Sequence, residues 1–202
     1  MSATTAKNVP CSNKQVLVIN GSPHKDGPTA KLIAAFVEAL PETADITVFD
    51  CFKRRPIPCD GCGYCGTKDN CVKRDLDDYY EALENADILV YALPIYNLSF
   101  PAPMKALIDR GQIYWSARFL RQVSPPIAKA KKVVLLTACG DSRMADGSVP
   151  DGGASVEKQL ALPLTVLNGK LVCAVHYFGS DGGNPIEPYL KLARQAAVEV
   201  SK

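Results

Sequence analysis

The chain has no apolar run approaching the roughly 20 residues that a membrane-spanning helix needs. Its first thirteen residues are polar and lack the apolar core of a secretory leader. Neither sign of charge dominates: 23 Lys and Arg stand against 21 Asp and Glu, for a net charge of +2. Nucleic-acid binding needs a clustered basic face and finds no support in that balance. The short basic run Lys53-Arg54-Arg55 reads as a solvated loop. There is no internal repeat, low-complexity tract or linker to divide the chain. These absences argue against membrane, secreted and nucleic-acid-binding classes, and leave a cytoplasmic protein as the expectation.

What is present is ordinary in bulk and unusual in one place. Apolar residues make up 47% of the 202 and charged residues 22%, the composition of a globular domain. Residues 14–202 read as one domain behind a disordered tail at 1–13, with a cysteine-rich insertion at 51–75. Eight cysteines in a cytoplasmic chain favour metal or redox chemistry over a disulfide framework. Four of them, Cys59, Cys62, Cys65 and Cys71, follow the spacing C-x2-C-x2-C-x5-C. The others are scattered, and Cys173, within an apolar run, reads as a small core residue.

Strand-like and helix-like segments alternate. Strands are expected at 15–20, 46–50, 88–92, 132–139 and 171–177. Helices are expected at 29–40, 76–85, 103–110, from about 153 to 167 with a bend at Pro163, and at 186–200. Gly111 is expected to close the third helix. Such alternation predicts an α/β fold: a doubly wound, five-stranded parallel sheet in the flavodoxin-like order 2-1-3-4-5. Ligands in such sheets bind beyond the carboxyl ends of the strands, near the point where strand order reverses.

The first strand runs into Gly21-Ser22-Pro23-His24-Lys25-Asp26-Gly27-Pro28-Thr29 and then a helix. Free backbone N–H groups at a helix start attract an anion. Ser22 and Thr29 add hydroxyl donors, His24 and Lys25 add positive charge, and Pro28 suits a first helical position. This loop has neither G-x-x-x-x-G-K-[ST] nor G-x-G-x-x-G, so a terminal monophosphate fits it better than ATP or a dinucleotide. An ordinary turn with a capped helix is the alternative. The loop after the third strand, 93–103, is stiffened by proline and carries Pro94, Ile95, Tyr96 and Asn97. In the expected sheet order it lies beside the first loop. It can hold a flat ring there, with Tyr96 over one face, or serve as a rigid connector.

Here a resemblance becomes specific. The segments VLVINGSPHKDGPT and PIYNLSFPAPMKALIDR, and the cysteine run leading into Asp75-Leu76-Asp77-Asp78, resemble the NADPH-dependent FMN reductase family. The cysteine spacing is similar to that of its iron–sulfur flavoprotein subgroup. The resemblance implies FMN phosphate contacts at Ser22, His24, Pro28 and Thr29, and ring contacts at Pro94, Ile95, Tyr96 and Asn97. It implies a third cofactor loop at Cys139, Gly140 and Asp141. It also implies a 4Fe-4S cluster on Cys59, Cys62, Cys65 and Cys71, and a homodimer or homotetramer. His24 and Pro28 stand where the family often has Arg and Asn, which implies a looser hold on the phosphate.

For the cysteine run, four readings compete: a 4Fe-4S cluster, zinc, redox disulfides, and plain thiols at a loop or subunit interface. The functional expectation is an FMN-dependent oxidoreductase. Its donor is NAD(P)H or a redox carrier protein. Its small-molecule electron acceptor is a quinone, a flavin or an oxygen species. No catalytic side chain is assigned, because the flavin carries the chemistry. A non-enzymatic electron carrier like flavodoxin is the alternative, although flavodoxins tend to be strongly acidic. A zinc- or thiol-based interaction module without flavin is a third reading. The stretch 111–128, with Tyr114, Trp115, Phe119 and Leu120, is read as a subunit interface, a pocket lid or a cover for the core. His176 is read as structural.

Overall fold

The structure, a computed structural model, describes residues 13–140 and 151–202. The expected tail at 1–13 therefore lies, but for its last residue, outside the described residues, as do Cys11 and Asp141. The strands are β1 (Gln15–Asn20), β2 (Asp45–Asp50), β3 (Ile88–Pro94), β4 (Lys131–Ala138) and β5 (Gly169–Tyr177). The helices are α1 (Pro28–Glu38), α2 (Cys51–Arg54), α3 (Asp77–Asn85), α4 (Ala102–Asp109), α5 (Gln112–Phe119), α6 (Gly152–Val166) and α7 (Glu187–Ser201), with a 3₁₀ turn at Tyr64–Gly66. All strand pairs are parallel and the order is β2-β1-β3-β4-β5, as the sequence pattern predicts.

Alternate residues of each central strand enter different cores. Leu17 and Ile19 of β1, with Leu89 and Tyr91 of β3, face α3, α4 and α6. Val16 and Val18, with Ile88 and Val90, face α1 and α7. Both faces of these strands are therefore dry, which is why they read as unbroken apolar runs. Burying each such side chain contributes about 1.5–3 kcal/mol. The edge strand β2 has one covered face, and its Val48 is exposed.

Three elements depart from the sequence expectation. The basic run is not a loop: Asp50 accepts from the N–H groups of Phe52 and Lys53, both at 3.0 Å, and starts α2. Arg54 then forks onto Asp78 at 2.6 and 2.8 Å. Gly111 does not terminate α4 with a left-handed turn. Its φ is −63°, and it leads directly into α5. An added Cβ there would stand 2.9 Å from the carbonyl oxygen of Ile108. Helix α5 itself resolves the stretch 111–128. Ile113, Tyr114 and Ala117 cover the core, while Phe119 (49%) and Leu120 (58%) stay exposed. Cys173 is half-buried rather than a core residue.

Lys131 opens β4 at 3% exposure, and its ammonium donates to the carbonyls of Glu84 and Ala86, both at 3.0 Å. Burial, with the neighbouring Lys129 charge, pushes its pKa down from 10.5 to about 8. Between those values the unfolded chain binds a proton that the native chain does not, so stability rises with pH. We expect wild type to gain stability relative to Lys131→Met between pH 8 and 10, read from urea melts at several pH values. A constant difference across that window contradicts the burial argument.

Candidate cofactor site

The sheet order brings three loops to one edge. β1 and β3 are neighbours, yet their following helices lie on opposite faces, so the loops leaving them diverge around a crevice. The ladder continues into those loops. Gly21 N–H donates to Ala92 at 2.8 Å, Ile95 N–H to Ala138 at 2.8 Å, and Cys139 N–H to Tyr177 at 2.9 Å.

The first loop is organised before any ligand arrives. Ser22 N–H donates to Asn20 Oδ1 at 2.9 Å, and Ser22 Oγ accepts from His24 N–H at 3.2 Å. Ser22 and Thr29 are both buried, whereas His24 is exposed. Pro28 occupies the first helical position of α1 behind Gly27, which supplies no side-chain cap, and the first turn has no acidic residue. The first backbone N–H groups of α1 are thus left without a side-chain cap. Gly21 permits the close approach of α4: an added Cβ would stand 2.7 Å from Met104 Cε and 3.2 Å from Leu93 Cβ.

The loop after β3 closes in a tight turn. Tyr96 N–H donates to Ser99 at 3.1 Å, and Ser99 N–H to Tyr96 at 2.9 Å. Asn97 and Leu98 between them have φ of 50° and 59°. Asn tolerates that region; Leu does not, so Leu98 is held there by its surroundings. Helix α6 provides the hold. Ser155 Oγ and Gln159 Nε2 donate to the Leu98 carbonyl at 2.9 and 3.0 Å, and Ser99 Oγ donates to Gln159 Oε1 at 2.7 Å. Pro94 and Ile95 are half-buried, and Tyr96 and Asn97 are exposed on the crevice loop. Sequence reasoning missed Ser155 and Gln159. Their i,i+4 spacing places them on one face of α6, but nothing local says what that face touches.

The third loop begins at Cys139 and Gly140. Their carbonyls accept from the N–H groups of Ser180 and Gly179 respectively, which ties this loop to the one after β5. Nearby, His176 is hydrogen-bonded at both ring nitrogens: Nδ1 with Thr137 Oγ1 and Nε2 with Glu157 Oε1, each at 2.8 Å. An added Cβ at Gly153 would meet its ring at 2.6 Å. His176 is thus a packed structural residue, as read from the sequence.

The four clustered cysteines all line one cavity of about 430 Å³ between their loop and α5. Cys59 and Cys62 are exposed, while Cys65 and Cys71 are half-buried. Cys65 Sγ lies 3.4 Å from Ser116 Oγ. Among the described residues no three His, Cys, Asp or Glu side chains stand in a ready metal-binding set. The sulfurs share a space without converging in it. Gly61 and Gly63 have φ of 67° and 75°, the left-handed region that favours glycine. Four soft sulfur donors fit an iron–sulfur centre in chemistry. Asp75 anchors the loop by accepting from Ile57 N–H at 3.0 Å and from Arg110 at 2.9 Å. Burial raises its pKa, but these two donors outweigh it and hold the carboxyl below its usual range.

Two outcomes follow from this geometry. Losing the Gln159 bonds to the turn costs about 1–2 kcal/mol. Gln159→Ala should therefore speed amide exchange at Ser99 by roughly 5- to 30-fold; unchanged exchange removes α6 from the account. A depressed carboxylate stabilises above its unfolded pKa, and that contribution is lost as pH falls through the folded value. Asp75→Asn should accordingly lose stability at neutral pH, with the gap to wild type closing below about pH 4. A gap that persists in acid shows that charge is not what matters at this position.

Comparison with known proteins matches this geometry to a family. The model of the NADPH-dependent FMN reductase family matches residues 15–169. The chain is 31% identical over 173 residues to an iron–sulfur flavoprotein of Methanosarcina thermophila, covering 84% of this chain and 82% of that protein. An NAD(P)H:quinone oxidoreductase from Methanothermobacter marburgensis shares the fold at TM-score 0.71 and 17% identity, covering 94% of this chain and 97% of that one. An FMN-dependent NADH-azoreductase from Bacillus anthracis, solved with FMN, does so at TM-score 0.63 and 15% identity, covering 94% and 100%. The chain belongs to the NADPH-dependent FMN reductase family, within its iron–sulfur flavoprotein branch.

Proposed function

We propose that this chain binds FMN in the crevice beyond β1, β3 and β4, and uses it to pass electrons from NAD(P)H, or from a redox carrier, to a quinone-like acceptor. The observation that carries the reading is the pair of hydrogen-bonded loops that leave β1 and β3 on either side of the strand-order switch. FMN held there would supply hydride acceptance and the release of electrons singly or in pairs. The chain's own groups do the rest. Ser22, Thr29 and the uncapped start of α1 hold the phosphate, with His24 at the rim and Pro28 setting the helix. Pro94, Ile95, Tyr96 and Asn97 position the ring. Cys139, Gly140 and Asp141 form the remaining wall in this reading, Asp141 lying outside the described residues. Tyr96, exposed beside the crevice, shapes the acceptor side.

The relatives named iron–sulfur flavoproteins support placing a 4Fe-4S cluster on Cys59, Cys62, Cys65 and Cys71. That group would supply single-electron exchange with a carrier. A homodimer or homotetramer is part of the proposal, because Phe119 and Leu120 leave exposed apolar side chains at the end of α5, Leu120 lining the cysteine cavity.

Steady-state turnover separates an enzyme from a passive carrier. With FMN bound, NADPH oxidation should depend on a small quinone and saturate in it. Thr29→Ala and Ser22→Ala should each weaken FMN binding by about 1–3 kcal/mol, roughly 5- to 150-fold in Kd. One-electron exchange without NAD(P)H turnover would identify a carrier. Unchanged FMN affinity in both variants would move the phosphate elsewhere.

A further inference from the structure

A buried arginine anchors the cysteine run at both ends. Arg110, at the end of α4, is 1% exposed. Its guanidinium donates to the carbonyl of Ile57 at 2.8 Å, to the carbonyl of Lys73 at 2.9 Å and to Asp75 Oδ1 at 2.9 Å. Ile57 stands two residues before Cys59, and Lys73 two residues after Cys71. One planar cation therefore ties the chain where it enters the run and where it leaves. Lys73 adds a second tie at the same neck, donating to the Pro58 carbonyl at 2.6 Å.

The same side chain has a donor left over. Arg110 Nε is fully buried and has no hydrogen-bond partner. A buried, unpaired N–H of a charged group is costly unless an acceptor is supplied. Arg110 lines the cavity that all four cysteines line. Among the described residues only one other buried side-chain donor is left without a partner, Nε of Arg121. That guanidinium pairs with Asp69, inside the run. Both unmet donors thus belong to arginines that grip the cysteine loop.

We propose that Arg110 is the positioning residue of the cysteine centre: it closes the neck of the loop and sets fixed positive charge in the wall beside a sulfur-ligated anionic cluster. The charge half of this inference rests on the cluster reading above; the clamp half does not. Four thiolates around an iron–sulfide core carry net negative charge. A cation in a low-dielectric wall favours the form with one more electron, and so raises the reduction potential. Lysine at this position keeps the charge but cannot fork across two carbonyls and a carboxylate.

The test uses the full chain as wild type, Arg110→Lys and Arg110→Met, with FMN binding and far-UV circular dichroism as checks of folding. On iron-free protein, limited proteolysis between residues 58 and 72 should be on the order of tenfold faster in both variants. Cutting at the wild-type rate in both overturns the clamp. After anaerobic reconstitution with iron and sulfide, an EPR-monitored reductive titration should place the cluster of Arg110→Met at a lower midpoint potential than wild type, with Arg110→Lys nearer wild type. Equal potentials in all three overturn the charge role. If Arg110→Met does not fold, the lysine variant still decides the clamp, and Arg110→Gln replaces it in the titration. If wild type takes up no iron, the cluster reading fails along with the charge role, and proteolysis of the iron-free chains still decides the clamp.

Discussion

The burial of β1, β3 and β4 on both faces is the constraint from which the site follows. With helices above and below, these strands leave only their ends for function. Parallel pairing then puts every carboxyl end on one edge. Because β1 and β3 are neighbours whose connections leave in opposite directions, a crevice opens there without any residue being spent on making it. Two of the loops there are ordered by their own bonds: Asn20 and Ser22 order the one after β1, and α6 orders the turn at Leu98.

The segment from Pro94 to Arg110 connects the two candidate centres physically. It begins as the loop after β3, packs Met104 against Gly21 in the loop after β1, and ends in the guanidinium that holds the neck of the cysteine loop. Helix α4 thus ties the loop after β1 and the neck of the cysteine loop to one element. Asp75, Arg54 and Asp78 extend the same framework by fastening α2 and α3 to the loop.

The sheet order was legible from the sequence because hydrophobic periodicity survives in any single strand or helix. The placement of Ser22, Pro28 and Thr29 at the start of α1 is legible because it depends on immediate chain neighbours. Helix α5 was not read as a helix: Gly111 looked like a terminator, and only the close approach of the Ile108 carbonyl explains a glycine there. Ser155 and Gln159 were invisible for a related reason, since their partner Leu98 lies about sixty residues away. Arg110 was in plain view within a recognised segment, yet its burial among two carbonyls and Asp75 has no local signature. Long-range polar pairing is set by packing, which a linear pattern does not encode.

The central claim is that one chain holds two redox centres on one rigid framework. An anaerobic reductive titration of protein loaded with FMN, iron and sulfide, followed at the flavin band, counts them directly. The account predicts about three electron equivalents per chain, two on the flavin and one on the cluster. An uptake of two leaves the flavin alone and contradicts the cysteine centre. A chain that develops no flavin band under saturating FMN contradicts the whole account.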